Sequence, residues 1–276
     1  MVIYLNRRPA PPLDASVSAV WYFKSAPRPF GFERVLPKGR AQLVVNLKED
    51  RTRTYTERGA CIVAPGAVVS GLGPQFEIID TDEQEHVVGV VFKPGGTAGF
   101  FRDSAYAMRG RDVPLEALWG VAGTALLREA LLEAATPEAA LDVLEQALRQ
   151  ARHGRETHPA VAFALARFDR QPEVARVGAV TDTIGMSAKR FIERFKAEVG
   201  LTPKQYCRLQ RFQRAVTAAH ADADLDWSDV ALACGYFDQA HFIHDFREFS
   251  GLTPGAYRSG RTVFPNHVTF LQSPAS

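Results

Sequence analysis

Two hydrophobic rhythms divide the chain. Over residues 17–92, short apolar runs at 20–23, 41–47, 52–55, 60–63, 76–79 and 86–92 alternate with turn residues. The runs are rich in β-branched and aromatic side chains, and they are bounded by Pro37-Lys-Gly39, Pro65-Gly66, Gly71-Leu-Gly73-Pro74 and Pro94-Gly-Gly96. That pattern predicts strands, and their even spacing predicts a small barrel or sandwich. From Val113 the period becomes helical, with Leu115, Leu118, Trp119, Ala122, Leu126 and Leu127 on one stripe. Thr136-Pro137 starts a second helix carrying Leu141, Leu144, Ala147 and Leu148. The polar stretch 152–158, ending at Pro159, reads as a linker.

Beyond the linker the period stays helical. Pro159 opens a helix with Val161, Phe163, Ala164, Leu165 and Phe168, and Val177, Val180 and Ile184 form a short helix ending at Gly185. Ser187 then caps a helix with Phe191 and Phe195 one turn apart on its buried side. One repeat later, Asp226 starts a short helix with Val230, Ala231 and Cys234, the chain turns at Gly235, and Asp238 caps a helix with Phe242 and Phe246 inward. Phe191/Phe242, Phe195/Phe246, Gly200/Gly251, Thr202/Thr253, Pro203/Pro254 and Tyr206/Tyr257 superpose without gaps. The second copy has one more residue in its turn. A helix, a tight turn and a second helix, used twice, is an internally repeated helix-turn-helix plan. The apolar stripe Tyr206, Leu209, Phe212, Val216 and Ala219 predicts one long joining helix from Thr202-Pro203 to about Ala219.

The motif Ala-x-x-x-Gly-Tyr-x-Asp-x-Ala-x-Phe-x-x-x-Phe-Arg-x-x-x-Gly-x-Thr-Pro-x-x-Tyr-Arg, from Ala231 to Arg258, resembles the signature of AraC/XylS-type bacterial transcription regulators. The resemblance covers the last two-fifths of the chain. It implies an α+β two-domain protein: a β-rich, cupin-like effector and dimerisation domain over 1–154 (β-rich to about 110, helical over 113–152), a double helix-turn-helix domain over 158–260, and a tail over 261–276. Residues 36–47 and 91–96 also resemble an N-terminal domain of unassigned ligand found in some of these regulators. The resemblance further implies that two recognition helices enter successive major grooves of double-stranded promoter DNA, with RNA polymerase as a further contact. Its base-reading positions map onto Lys189, Ile192 and Glu193 in the first helix. Gln239, Ala240, Ile243 and His244 face outward in the second. Lysine donates to guanine, glutamine reads adenine, glutamate accepts from cytosine, and isoleucine touches the thymine methyl. Glu193 has a second use open to it, pairing with Lys189 or Lys196 along its own helix. Thr181 departs from the pattern, standing where the second copy has Ala231, and is tolerable if its hydroxyl bonds a helical carbonyl. The helices of 113–152 either pair two subunits into a homodimer or pack within one chain.

Charge refines this picture. The chain of 276 residues has a formal net charge of only +2, yet Lys189, Arg190, Arg194, Lys196, Lys204, Arg208, Arg211 and Arg214 crowd the first repeat and the joining helix. Around the second recognition helix Arg247 stands among acidic residues. Phosphate contacts are therefore expected from Arg190, Arg194, Lys196, Lys204, Arg208 and Arg211, with Arg247 the second helix's contribution.

Catalytic chemistry finds little support. A metal-dependent cupin needs several histidines and a carboxylate converging, whereas His86 is alone among the predicted strands and reads as a surface or hydrogen-bonded histidine. His241 and His244 have no third metal ligand nearby in sequence. Cys61, Cys207 and Cys234 lie far apart and read as buried reduced thiols, so the alternative of a DNA-binding module fused to a cupin-like or thiol enzyme is the weaker one. No cofactor is expected. Control by a small molecule, by a protein partner or by the amount of protein all stay open; a small-molecule effector would be held by Trp21, Phe23, Phe30, Phe32, Phe76, Arg34 and Arg40, unless these are plain core and solvated arginines. At 46% hydrophobic and 23% charged, with no apolar run long enough to span a bilayer and no signal-peptide order at the N-terminus, the expectation is a cytoplasmic protein without a membrane partner.

Overall fold

The computed structural model describes residues 2–26, 31–170, 172, 177–222 and 225–270. Phe30 lies outside them. The N-terminal half is built from β1 (Val2–Arg7), β2 (Val17–Ser25), β3 (Phe32–Val35), β4 (Gln42–Asn46), β5 (Arg51–Tyr55), β6 (Cys61–Pro65), β7 (Ala67–Ser70), β8 (Glu77–Asp80), β9 (His86–Phe92) and β10 (Asp112–Pro114). Helices α1 (Leu115–Trp119), α2 (Val121–Glu133) and α3 (Pro137–Ala151) follow. The C-terminal half contains α4 (Pro159–Arg170), α5 (Val177–Ile184), α6 (Ala188–Val199), α7 (Pro203–Ala221), α8 (Trp227–Ala233), α9 (Gln239–Ser250) and α10 (Pro254–Gly260), and the chain returns as β11 (His267–Phe270).

Two antiparallel sheets face each other, in the orders β1-β2-β9-β4-β7-β10 and β11-β3-β8-β5-β6. They form a sandwich rather than one closed barrel. Alternation along β2 sets its two faces: Val20 and Tyr22 are buried in the core that Leu141, Leu144 and Leu148 of α3 complete, while Trp21 and Phe23 point between the sheets. Trp21 pairs with Gly89 of β9, and a Cβ there would come within 2.5 Å of the indole. Glycine at 89 thus makes room for the ring.

The six expected strands form, with ends moved by one to a few residues. Sequence reading missed β1, β3, β7 and β10, three of them only three or four residues long and one an outer strand with alternate exposed positions, and it left the tail that forms β11 undecided between a strand and a docked segment. The expected linker and Pro159 start agree with the break between α3 and α4. Two expectations are corrected. Cys61 is exposed because β6 is an edge strand, although Cys207 and Cys234 are buried. Phe163 is 39% exposed, while Val161, Ala164, Leu165 and Phe168 make the inward face of α4.

The halves meet at the C-terminal ends of α6 and α9. Ala105 N–H donates to Ala197 O at 2.9 Å, and the Lys196 ammonium lies 3.8 Å from the Tyr106 ring centre. Arg34 reaches Ser250, and Gln213 of α7 donates to Pro37 O at 2.8 Å. Strand β11 joins the sheet of the N-terminal half by pairing with β3, so part of the 261–276 tail belongs structurally to the sandwich.

Candidate nucleic-acid interface and ligand cavity

Each helix-turn-helix unit is set by the same local chemistry. Helix α5 ends before Gly185 (φ +65°), and Ser187 caps α6 by accepting from Arg190 N–H at 3.4 Å. Helix α8 ends before Gly235 (φ +75°), and Asp238 caps α9 by accepting from His241 N–H at 2.7 Å. Both turns need the left-handed conformation that glycine adopts without a Cβ clash. Thr181 donates to Gly178 O at 2.9 Å, so the departure from the repeat is satisfied inside α5.

Two aromatic cores hold the units on α7. Phe195 packs against Phe191, Phe168 and Tyr206, each at 5.8 Å between ring centres. Phe246 packs against Phe242 at 5.6 Å, Phe212 at 5.1 Å and Tyr257 at 5.6 Å. The repeated tyrosines have different partners: Tyr206 donates to Asp169 at 2.6 Å and Tyr257 to Pro265 O at 2.8 Å. Burial pushes the Tyr257 hydroxyl up to about 12.

On α6, Lys189 and Glu193 are exposed and Ile192 is half-buried; on α9, Gln239, Ala240 and His244 are exposed and Ile243 is half-buried. Positions three and four apart share a helix face, so each set forms one outward surface. The N-terminal half of the chain touches the C-terminal ends of these helices, at Lys196, Ala197 and Ser250, while Lys189 and Gln239 at the other ends are exposed.

The basic residues divide into two groups. Arg190, Lys204 and Arg247 are exposed. Four others have partners within the protein. Arg194 pairs with Glu198 at 3.6 Å, and Lys196 lies over Tyr106. Arg211 donates to Gly235 O at 3.2 Å and lies over the Tyr236 ring. Arg208 donates to buried Asp245 at 2.6 Å and to Glu248 at 2.5 Å, and these bonds raise its already high pKa. Asp245 is the clue the sequence offered: an acid on the inner face of α9 needs a cation opposite it.

The second feature is a cavity of about 260 Å³ between the sheets, lined by Trp21, Phe23, Lys38, Gln42, Gln84 and, from the returning chain, Phe264 to His267. Of the expected effector residues, Trp21 and Phe23 line it. Arg34 points to the opposite side of β3, where it stacks 4.0 Å from the Phe76 ring centre. Arg40 is exposed at a separate small crevice. Sequence reading missed Lys38, Gln42, Gln84 and the returning chain, since polar residues in a loop or strand do not announce an interior position.

The cavity is charged as well as aromatic. Lys38 makes no hydrogen bond with any described residue; burial lowers its pKa, and the Glu77 charge opposes that shift. Glu77 lines neighbouring crevices rather than this cavity; burial first, then the Asp112 charge, pushes its carboxyl up to about 7. Glu33 and the His267 ring meet at 2.9 Å. His86 lies elsewhere, half-buried and bonded to the Tyr22 hydroxyl at 2.9 Å; burial and nearby Lys24 lower its pKa.

Two family models match separate parts of the chain. Residues 180–260 match the model of a helix-turn-helix domain, and residues 6–114 match that of a domain of unknown function, DUF6597. The chain is 32% identical over 87 residues to the HTH-type transcriptional activator RhaS of Escherichia coli O9:H4 (strain HS), covering 31% of each protein. It thus spans less than a third of the length of the curated relatives it matches. Among solved structures, the DNA-binding domain of AdpA in complex with a target DNA is 26% identical, with a TM-score of 0.34, covering 37% of this chain and 92% of that one. ToxT from Vibrio cholerae is 9% identical, with a TM-score of 0.40, covering 94% and 97%. Residues 180–260 of this chain are a helix-turn-helix domain of the AraC type.

Proposed function

We propose that the chain is a sequence-specific DNA-binding transcription regulator, modulated by a small molecule held in its N-terminal sandwich. The observation that carries the first part is the repeat itself: two capped recognition helices, α6 and α9, on one joining helix, each with its outward face uncovered. Helix α7 has 19 residues, a span of about 28 Å at 1.5 Å per residue. That is close to the roughly 34 Å turn of B-form DNA, so both helices can address one side of a duplex. Lys189, Ile192 and Glu193 read bases in one major groove, and Gln239, Ala240, Ile243 and His244 read the next. Arg190, Lys204 and Arg247 are the residues best placed for phosphates. The relative in hand is named a transcriptional activator, and the output of such a protein is read by RNA polymerase.

The effector reading rests on the cavity, whose aromatic walls and few polar groups suit a small ligand. A homodimer through 113–152 is supported by the outer face of α2, where Val121, Leu126 and Leu132 are exposed. Selection of binders from a random double-stranded DNA pool by the full chain tests the main claim. A shared sequence must emerge; retention of all sequences alike would refute it. Sedimentation across a concentration series tests the dimer separately.

A further inference from the structure

The cavity wall is shared between the two halves of the molecule. Phe264, Pro265, Asn266 and His267 line it, yet they follow directly on α10. Their backbone is fixed at both ends: Thr262 N–H donates to His267 O at 3.0 Å, Leu36 N–H donates to Asn266 O at 2.8 Å, and His267 and Val268 pair with Val35 and Arg34 of β3. Phe264 packs against Tyr4 at 5.7 Å and Phe23 at 6.2 Å, closing the aromatic side of the space. The loop bearing Lys38 is fastened to the same half. Pro37 O accepts from Gln213 of α7, and a Cβ on Gly39 would lie 3.0 Å from Gln210.

Two donors in this wall make no hydrogen bond with a described residue. Asn266 Nδ2 is buried without a partner, and the half-buried Lys38 has only the charge of Glu77 to balance it. A buried donor left unpaired carries a desolvation cost that an acceptor on a ligand would relieve. Both stand beside the rings of Trp21, Phe23 and Phe264, surfaces suited to a flat apolar body.

We propose that this cavity is a composite site for a compact aromatic carboxylate, with Lys38 and Asn266 binding its oxygens and the 264–267 segment serving as ligand wall and link to α10. The inference rests on the effector reading of the sandwich and adds the ligand class and the route of regulation. Glu33 and Arg34 are neighbours on β3 with opposite directions: Glu33 holds His267 at the cavity and Arg34 holds Ser250 at the end of α9. A ligand that displaces Asn266 or His267 therefore acts on the same strand that anchors α9.

The test uses the full chain with phenylacetate, 3-phenylpropionate and 2-naphthoate, each beside its neutral amide, followed by ligand-observed NMR. At least one carboxylate is expected to bind about tenfold more tightly than its amide, and Lys38→Met to remove that advantage. Asn266→Ala and Phe264→Ala, checked for an unchanged melting transition, should each weaken binding several-fold. The bound carboxylate should also shift affinity for the selected duplex at least about threefold. Should Phe264→Ala fail to fold, Asn266→Ala carries the test. Carboxylate binding indifferent to Asn266→Ala would overturn the composite wall while leaving an effector cavity standing. Equal binding of acids and amides would overturn the ligand class. If no acid or amide bound, both the cavity reading and this inference would fall, and the DNA-binding reading would be judged by the duplex selection alone.

Discussion

Arg34 Nη1 donates to the backbone carbonyl oxygen of Ser250 at 2.8 Å, joining residues 216 positions apart in sequence. Ser250 is the last residue of α9, and its carbonyl is one of those that no helical N–H satisfies. A buried guanidinium there serves as both donor and complement to the helix dipole. Phe76 covers the guanidinium from one side, and Gly251, at φ +66°, has no Cβ to push it away.

Loss of this contact should loosen the halves. Arg34→Met keeps much of the packing but removes the donor, and it is expected to cost roughly 1.5–3 kcal/mol, the range for hydrogen bonds to charged groups. Urea unfolding followed by two probes should then give transitions that no longer coincide. Coincident transitions at unchanged midpoint would show that Arg34 does not hold α9.

Arg208 presents a different case. Sequence reading expected a phosphate contact, but its donors are committed to Asp245 and Glu248. Arg208→Ala leaves the buried Asp245 carboxylate with only the His241 ring, 3.9 Å away, and a loss of about 3–5 kcal/mol is expected. Lys204→Ala, at an exposed site, should leave stability within about 0.5 kcal/mol and lower the salt slope of DNA binding by about one. Thermal melting and affinity at several salt concentrations separate the two outcomes. A stable Arg208→Ala protein with a reduced salt slope would reverse the assignment.

Base reading is tested on exposed residues alone. Lys189→Ala and Gln239→Ala should change which sequences are preferred, each by roughly 1–3 kcal/mol at one position, with little change in folding stability. Competition between the selected site and its single-base variants measures this. Unaltered preference in both proteins would place the reading faces elsewhere.

Glu77, in a crevice beside the cavity, makes stability depend on pH in a stated direction. Glu77 is held at about 7 against an ordinary value of 4.5, because burial and Asp112 favour its protonated form. A carboxyl raised on folding contributes stability that is fully present below its unfolded value and lost as pH rises through its folded value. Melting temperature should therefore fall between about pH 5 and 7.5 more steeply in the native chain than in Glu77→Gln. Parallel curves would remove Glu77 from this role.

Local signals carried much of this architecture. Ser187 and Asp238 cap helices where their sequence context predicts, and the phenylalanine pairs 191/195 and 242/246 lie inward as their spacing demands. What escaped was tertiary. Nothing next to Arg34 in sequence reveals Ser250, and Arg208 cannot be distinguished from a phosphate contact until Asp245 is seen opposite it. Lys38 sits in a Pro-Lys-Gly turn that reads as solvated, and only packing of that turn on α7 carries it inside. Residues 267–270 leave strand and docked segment equally open in sequence, and the edge that β3 supplies makes them a strand.

The central claim is that α6 and α9 read one side of a duplex together. Hydroxyl-radical footprinting of the full chain on its selected duplex measures this directly. Two protected patches about 10 base pairs apart on one face are expected, with Lys189→Ala altering one and Gln239→Ala the other. A single patch, or two that both variants leave intact, would contradict it.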